Sequence, residues 1–343
     1  MAVKRVAAAA CTVESLADYS QASTAPTSCC KRRRVCCSGE YEETGVLGNG
    51  GFGLVVKARH RITGEIVAVK ALHSDSAKKP ASAAAAVRGM LREVAFLAAC
   101  RGHLSLVDLR ELSRDPATGE LSLVMEYVGP SLHDVLHDQR GGRPFPEPDV
   151  RRIMRELLRG VEHMHARRIV HRDIKPRNIV IGGEAGGIKI CDLGLAMSMF
   201  EPPPYARCGT LRYMAPEVVL GKPDYGTEVD MWSLGCVMAE LLAGAPLFDG
   251  DDAGDQLREI FNVLGVPGHS TWPAYKSLPL AGKLVKLPRD IRSCNRLRKL
   301  FPEDRLSREG FQVLKRLLSC NIDKRLSATA ALRHPWFADE APS

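Results

Sequence analysis

The sequence of 343 residues is poor in aromatic residues and contains no long apolar run, and each absence excludes a class of protein. None of its apolar runs approaches the roughly 20 residues that a helix needs to cross a bilayer. Proteins that bind single-stranded nucleic acids stack the bases on aromatic side chains that lie among basic residues. Here aromatic residues make up 6% of the chain and form no stripe among basic residues. We therefore predict no membrane span and no nucleic-acid partner, while the net charge of +8 favours anionic partners in general.

A regular disulfide framework is absent as well. The 11 cysteines are an odd number without even spacing, which favours a reducing, intracellular setting. The pairs Cys29-Cys30 and Cys36-Cys37 lack the spacing of about two to four residues that separates zinc ligands. We interpret them as ordinary surface thiols, with a metal knuckle as the alternative.

Residues 1–40 have few large apolar side chains, so they cannot bury enough surface to offset the entropy of ordering. We predict that this basic, Ala- and Cys-rich segment is disordered. Its run Lys31–Arg34 is typical of a nuclear import signal and equally of solvated charge, which predicts a location in the nucleus, the cytoplasm or both. Val6–Cys11 is too short for the core of a secretory signal, and the acid-poor opening leaves a transit peptide as an alternative.

From Tyr41 onward, alternating apolar and polar residues predict the strands and turns of a folded domain. Residues 48–55 read GNGGFGLV and fit G-x-G-x-x-G-x-V, in which missing side chains let the backbone close over phosphates. A dinucleotide-binding motif would need a helix directly afterwards, whereas residues 54–58 continue as a strand pattern. The candidate phosphate-loop residues are Leu47, Gly48, Asn49, Gly50, Gly51, Phe52, Gly53, Leu54 and Val55.

The next predicted strand carries VAVK at residues 67–70, which fits the V-A-I-K pattern. Lys70 is the candidate ligand of the α- and β-phosphates of a nucleotide, and the alternative is an exposed strand lysine. An Ala-rich stretch follows and predicts a helix. We choose Glu93 on that helix as the partner of Lys70, although a surface glutamate on a helix is common.

Three further motifs follow in order. Residues 171–178 read HRDIKPRN and fit H-R-D-x-x-x-x-N without a gap, residues 192–194 read DLG, and residues 215–217 read APE. Together with the two earlier motifs, they make residues 41–337 resemble the eukaryotic protein kinases. The resemblance implies a bilobal α+β fold with a β-rich N-lobe (41–125), a hinge (126–130), a helical C-lobe (131–337) and a short tail (338–343).

The same resemblance implies the roles of individual residues. Phosphoryl transfer depends on positioning and on neutralisation of charge, so Asp173 is the predicted base, and Lys175 is predicted to neutralise the transferred phosphate. A Lys followed by Pro at this place is similar to serine/threonine kinases. Asn178 and Asp192 are hard oxygen ligands suited to Mg²⁺, with ATP as the phosphate donor.

At the predicted hinge, backbone groups of Glu126 and Val128 would bind the edge of adenine, and Met125 would stand at the back of the pocket. The ring would lie between Val55, Ala68 and Val180. The predicted function is therefore an ATP-dependent serine/threonine protein kinase acting on protein substrates, and the alternative is a pseudokinase-like scaffold. Leu193, in place of Phe, keeps an apolar side chain and should alter the packing of the inactive state more than it alters metal binding.

The carboxy-terminal half resembles the cyclin-dependent kinases, and in particular the plant F-type members. The resemblance rests on FNVLGVP at residues 261–267, TWP at 271–273, DKRLSA at 323–328 and HPWF at 334–337. It implies that Arg325 pairs with Glu217 and that other kinases are candidate substrates.

Departures from that family concern control. The helix before Glu93 reads VRGMLRE where the family has PSTAIRE, which weakens the prediction of a cyclin partner; activity only with a cyclin stays an alternative. Gly51 and Phe52 replace inhibitory Thr and Tyr, so inhibition through this loop should be absent.

The activation segment also departs from the family. Tyr205 occupies the place of the usual activating threonine, and the candidate phosphorylation sites are Ser198, Tyr205 and Thr210, or none of them. Arg172 is available to bind a phosphate there. Met214 replaces the family's arginine before the APE motif, which leaves open whether a proline must follow the target residue.

Overall fold

The computed structural model describes residues 39–50, 53–71, 80–115, 119–183, 187–284 and 295–338, with only the backbone described at 49–50 and 80–83. All of these residues lie in one compact unit, Val35–Ser343. The predictions for the basic run, for the paired cysteines and for Gly51 and Phe52 fall outside the described residues.

The small lobe is an antiparallel sheet of five strands in the order β1-β2-β3-β5-β4. The strands are β1 (Tyr41–Gly50), β2 (Gly53–His60), β3 (Ile66–Ala71), β4 (Leu109–Arg114) and β5 (Leu121–Glu126). Alternating side chains lie on opposite faces of a strand, so one face of this sheet forms a small aliphatic core of Val56, Ala58, Val67, Val69 and Val124.

Helix α1 (Pro80–Ala99) follows β3, as the Ala-rich sequence predicts. Its buried positions Met90, Glu93, Phe96 and Leu97, continued by Cys100 just after the helix, recur at intervals of three or four residues, the period of one helical face. This face packs against a single-turn 3-10 helix at Leu193–Leu195. The helix that carries Glu93 therefore contacts the residues directly after Asp192.

The large lobe is mainly helical. Its helices are α2 (Glu147–Ala166), α3 (Pro216–Val219), α4 (Glu228–Ala243), α5 (Ala253–Leu264), α6 (Leu297–Leu300), α7 (Arg308–Leu317) and α8 (Ala328–Leu332). Short strands β6 (Ile169–Val170), β7 (Ile179–Ile181), β8 (Ile188–Ile190) and β9 (Met197–Ser198) pair as β6-β9 and β7-β8. The predicted bilobal α+β fold is confirmed.

Helix α4 forms the centre of the large lobe, and 14 of its 16 residues are buried. Trp232 on this helix stacks on Phe248, with ring centroids 5.8 Å apart. The large lobe thus has a far larger apolar core than the small lobe, and the elements anchored on α4 are held correspondingly firmly.

The predicted pair of Arg325 and Glu217 forms and is buried. The guanidinium donates to both carboxylate oxygens, at 2.6 and 2.9 Å, and the two charged side chains are at most 1% exposed. Because removing one partner would leave the other charge buried and unpaired, breaking this pair costs about 3–5 kcal/mol. The pair fixes α3, which follows the activation segment.

Within the described ranges, no helix is long and apolar enough to cross a membrane.

Candidate active site

One buried carboxylate anchors the loop of the HRDIKPRN motif, residues 171–178, which is named the catalytic loop from here on. Asp230, in the first turn of α4, accepts hydrogen bonds from the backbone N–H groups of His171 and Arg172, each at 2.9 Å. It also binds His165 Nε2 at 2.9 Å. Burial on its own raises the pKa of Asp230, but these hydrogen bonds and the nearby imidazoles lower the pKa below its usual range. The loop is therefore fastened to the best-packed helix of the molecule.

His171 links the catalytic loop to the segment that carries Asp192. Its Nδ1 accepts from the backbone N–H of Asp173 at 3.2 Å, and its Nε2 lies 3.0 Å from the carbonyl of Cys191. A neutral imidazole with its proton on Nε2 satisfies both contacts. The ring thus sets the distance between two predicted site residues, Asp173 and Asp192.

Asp173 is buried, and both of its carboxylate oxygens are engaged. Oδ1 accepts from the hydroxyl and the backbone N–H of Thr210, at 2.7 and 2.9 Å. Oδ2 accepts from Lys175 Nζ at 2.8 Å and from Asn178 Nδ2 at 3.2 Å. These four donors fix the orientation of the predicted base.

Thr210 has a role that the sequence did not predict. Its hydroxyl accepts from Lys175 Nζ at 2.8 Å while donating to Asp173, so it bridges the two. Gly209 brings it there with φ of +104°, and a Cβ at Gly209 would lie 2.3 Å from the carbonyl oxygen of Arg172. Glycine is therefore required before Thr210. The Cys-Gly-Thr sequence at residues 208–210 is the only local pattern that could have indicated this role of Thr210.

Lys70 contacts its predicted partner Glu93 and also Asp192, a neighbour that the sequence did not predict. Its Nζ lies 2.8 and 2.9 Å from the carboxylate oxygens of Glu93 and 2.7 Å from Asp192 Oδ1. Burial alone lowers the pKa of Lys70, but the two carboxylates outweigh it and raise the pKa. Burial likewise raises the pKa of Asp192, and Lys70 reverses that shift and lowers it. Lys70 is therefore cationic and Asp192 anionic at neutral pH.

Asn178 and Asp192 suit the predicted cation chemically. The amide nitrogen of Asn178 donates to the backbone carbonyl of Asp173 at 2.9 Å, which leaves its amide oxygen for a ligand. The Asp192 side chain is 32% exposed, so its carboxylate is reachable from the cleft. In the described part of the chain, no three His, Cys, Asp or Glu side chains gather as a metal cage. A cation here would need further oxygens from bound phosphates, as Mg²⁺ commonly does.

The cleft face of the small-lobe sheet carries the predicted adenine contacts. Ala68 pairs with Met125 across β3 and β5, and Val55 pairs with Lys70 across β2 and β3. These four side chains therefore share the face opposite the aliphatic core. Half-buried Val180 lies on β7 of the large lobe.

The hinge approaches the floor of the cleft closely. Ile181 N–H donates to the carbonyl of Pro130 at 2.9 Å, and Ser131 forms a bridge with Val180. A Cβ at Gly129 would lie 2.0 Å from the carbonyl oxygen of Ile181, so a side chain there would force the two segments apart. The Glu126 side chain lies 2.5 Å from Lys189. Val128, two residues further along the chain, is half-buried.

The phosphate loop is described only in part. Leu47 is 44% exposed, Gly48 pairs with Val55, and Asn49 pairs with Leu54. The backbone of Gly50 pairs with Gly53. Strands β1 and β2 therefore pair antiparallel as far as Gly50 and Gly53, and Gly51 and Phe52 lie outside the described residues.

The candidate phosphorylation sites lie on the ordered activation segment. Ser198 ends β9, and its hydroxyl accepts from the N–H of Phe200 at 3.2 Å. Tyr205 is half-buried and donates to the carbonyl of Glu201 at 2.9 Å. Thr210 contacts Asp173, the predicted base. Their modification stays a prediction.

Comparisons with known proteins agree with this geometry. The protein kinase domain family matches residues 41–337. The chain is 46% identical over 306 residues to a putative cyclin-dependent kinase F-2 of Oryza sativa subsp. japonica, covering 87% of this chain and 90% of that one.

Two other relatives are more distant. Cyclin-dependent kinase G1 of Arabidopsis thaliana is 37% identical over 307 residues, 87% of this chain, and the chain spans 49% of that protein. The serine/threonine-protein kinase ppk23 of Schizosaccharomyces pombe is 36% identical over 300 residues, covering 87% of this chain and 72% of that one.

Proposed function

Because the chain belongs to the protein kinase family, among serine/threonine kinases similar to cyclin-dependent kinases, we propose that it transfers the γ-phosphate of ATP to Ser or Thr hydroxyls of other proteins. The observation that carries the proposal is the closed set of contacts around Asp173 and Lys70. Each of the two has its partners at 2.7–3.2 Å. Other kinases are the substrate class that the resemblance favours.

In this proposal Asp173 orients the acceptor hydroxyl and takes its proton, since a fixed, buried carboxylate at the centre of the loop is suited to that task. Lys175 places a positive charge 2.8 Å from Asp173, where it would neutralise the phosphoryl group in transfer. Lys70 holds the nucleotide phosphates, and Glu93 keeps Lys70 in position.

Mg²⁺ held by Asn178 and Asp192 would neutralise the charge that develops on the phosphates. The low pKa of Asp192 supports this assignment, because the carboxylate stays ionised throughout the physiological range. Val55, Ala68, Met125 and Val180 supply the apolar walls that an adenine ring requires.

The test is incorporation of labelled phosphate from ATP with Mg²⁺ into a generic protein substrate. Asp173→Asn should lower kcat by about 10²–10⁴-fold, the contribution of a positioned acid or base. Asp138→Asn is the matched control, since Asp138 is exposed and should leave kcat unchanged. Phosphoamino-acid analysis should show phosphoserine and phosphothreonine. Equal incorporation by wild type and Asp173→Asn would contradict the proposal, and nucleotide binding without turnover would favour a scaffold.

A cyclin is the second candidate partner, because the relatives carry that word in their names. Against a strict requirement, the Lys70–Glu93 contact is already closed in the chain by itself. The protein expressed alone should therefore be active. An inactive preparation that gains activity only on co-expression with a cyclin would establish the requirement.

A further inference from the structure

The activation segment contacts helix α1 through an ion pair. Arg92 Nη2 lies 2.6 Å from Glu201 Oε1. The same oxygen accepts from the backbone N–H of Ser198 at 3.0 Å, so the carboxylate is fixed by its own segment. Arg92 directly precedes Glu93, whose carboxylate holds Lys70. One ion pair therefore joins the activation segment to the turn of helix that positions the phosphate-binding lysine.

The guanidinium of Arg92 is also oriented from its own helix. It lies over the ring of Phe96, 5.5 Å from the centroid, one turn further along α1. Phe96 is buried and belongs to the core cluster that contains Leu193. Because this contact orients the guanidinium of Arg92 against α1, the ion pair with Glu201 restrains the helix and not only the arginine side chain.

Arg172 is the second arginine that could bind a phosphate on the activation segment, and its guanidinium already contacts neutral acceptors. Arg172 donates to the carbonyl of Leu195 at 2.7 Å and to the hydroxyl of Tyr225 at 3.1 Å. The ring of Tyr225 packs edge-on against Tyr205, with centroids 5.5 Å apart. The Tyr205 hydroxyl already donates to the carbonyl of Glu201. A phosphate on Tyr205 would therefore break the existing hydrogen bond to the Glu201 carbonyl and add negative charge to a segment that already carries the Glu201 carboxylate.

We propose that Glu201 is a positioning residue that does the work of an activating phosphate: through Arg92 it holds α1, and with it Glu93 and Lys70, so that the enzyme is active with an unphosphorylated activation segment. This inference rests on the proposed kinase function. A phosphate orders such segments by presenting charge and acceptors to arginines. Here a carboxylate supplies the charge for Arg92, and a carbonyl and a tyrosine hydroxyl supply the acceptors for Arg172.

The expected size of the effect follows from exposure. The side chains of Arg92 and Glu201 are 40% and 41% exposed, so the pair is screened by solvent. A pair of this kind shifts an equilibrium by no more than about fivefold. Glu201 should therefore tune the population of the competent state and not switch activity on or off.

The first experiment removes the candidate phosphorylation sites that are not in the catalytic machinery. The Ser198→Ala, Tyr205→Phe double variant, treated with phosphatase and checked by mass spectrometry for absence of phosphate, should keep kcat within about twofold of wild type. If instead the wild type is active only when Ser198 or Tyr205 is phosphorylated, the inference is overturned while the kinase function stands. Absence of turnover in every form would overturn both.

The second experiment is a double-mutant cycle. Glu201→Gln and Arg92→Gln should each lower kcat by about three- to fivefold, and the double variant should be no worse than either, because both remove one interaction. The KM for peptide should not change, since a general loosening of the segment would raise it. Arg92→Lys should restore most of the activity.

The salt dependence of kcat and a control ion pair elsewhere in the small lobe test the same assignment. The difference between wild type and Glu201→Gln should shrink as salt rises, because exposed charges are screened. Glu65→Gln breaks a similarly exposed pair in the small lobe, Glu65 just before β3 with Arg110 on β4 at 3.2 Å, and should leave kcat unchanged. Additive losses in the cycle, or losses that do not depend on salt, would contradict the assignment.

Discussion

The catalytic loop and helix α1 serve the same site, but they are anchored in different ways. The loop is fixed by Asp230, which is fully buried on α4, and α4 is buried almost throughout its length. Helix α1 has a single buried face, and an exposed glycine, Gly89, lies near its middle. Asp173, the proposed base, therefore stands on the rigid core, whereas Glu93, the partner of Lys70, stands on a weakly anchored helix.

This difference explains where control can act. A helix with few buried contacts opens or shifts at low free-energy cost, and α1 also meets the activation segment through the Arg92–Glu201 pair. Shifting α1 would separate Glu93 from Lys70 without disturbing Asp173. Changes beneath the catalytic loop should therefore affect folding and catalysis together, and changes on α1 should affect them separately.

The largest expected effect comes from Asp230→Asn. The asparagine amide would turn an N–H₂ group toward one of the backbone N–H donors of His171 and Arg172. A buried donor left without an acceptor costs about 1–3 kcal/mol. We expect the free energy of unfolding to fall by at least about 2 kcal/mol and kcat to fall about 100-fold, measured by denaturant titration and by kinase assay on folded protein.

Glu228→Gln is the control for that prediction, since Glu228 lies in the same first turn of α4 and its side chain has no role in the loop. It should leave kcat within about twofold. An Asp230→Asn protein with full kcat would show that the loop does not depend on this anchor.

The second effect is Glu93→Gln, which tests the other half of the comparison. Loss of a charge-assisted bond to Lys70 should lower kcat/KM by about 10- to 100-fold, the equivalent of about 1.5–3 kcal/mol. The free energy of unfolding should change by less than about 1 kcal/mol, because Lys70 keeps Asp192 as a partner and a buried charge is removed. Arg88→Gln, exposed on the same helix, should leave both unchanged. A large loss of stability would place α1 within the rigid core.

The sequence predicted the parts of the site that local spacing encodes. The motif residues, the strands, α1 and the pairs Lys70–Glu93 and Arg325–Glu217 agree with the structure. The sequence did not single out Asp230 as an anchor of the loop, and it offered Thr210 only as a candidate phosphorylation site. Their contacts join residues 35 to 65 positions apart, and such contacts depend on the path of the chain between them, for which a single sequence has no local pattern.

The same limit applies more strongly to Glu201. It lies 109 positions from Arg92, in a segment whose sequence does not match the family's pattern of regulation. An acidic residue there has no signature that separates it from a solvated surface charge. Only the packing of α1 against the activation segment brings the two side chains together.

A smaller effect is expected from Gly89→Ala. Gly89 is exposed within α1, and a Cβ there would meet nothing within 4 Å. Glycine costs a helix about 1 kcal/mol relative to alanine, so protection of α1 amides from hydrogen exchange should rise about fivefold, with kcat within about twofold of wild type. Ala95→Gly, exposed on the same helix, should lower protection by a similar factor. Equal protection in all three proteins would mean that α1 opens only with global unfolding.

The smallest effect concerns pH, at the joint where the loop after α1 meets α2. His103 and His163 pack there with ring centroids 4.3 Å apart. Burial first, and then the positive charge of Arg167, lowers the pKa of His103, and burial together with His103 and Arg167 lowers that of His163. The negative charge of Glu156 raises the pKa of His103, whereas the positive charges of Lys189 and Arg159 lower that pKa further.

A lowered folded-state pKa means that the unfolded chain binds more protons as pH falls. The stability from this pair is therefore complete above the unfolded pKa of about 6.5 and is lost progressively below it, toward the folded pKa. His163→Gln should reduce the loss of unfolding free energy between pH 7 and pH 5, by less than about 1 kcal/mol per pH unit. Because the pair connects α1 to the large lobe, acid should also lower amide protection in α1 before it affects the catalytic loop, and simultaneous loss in both would show that the two regions are equally anchored.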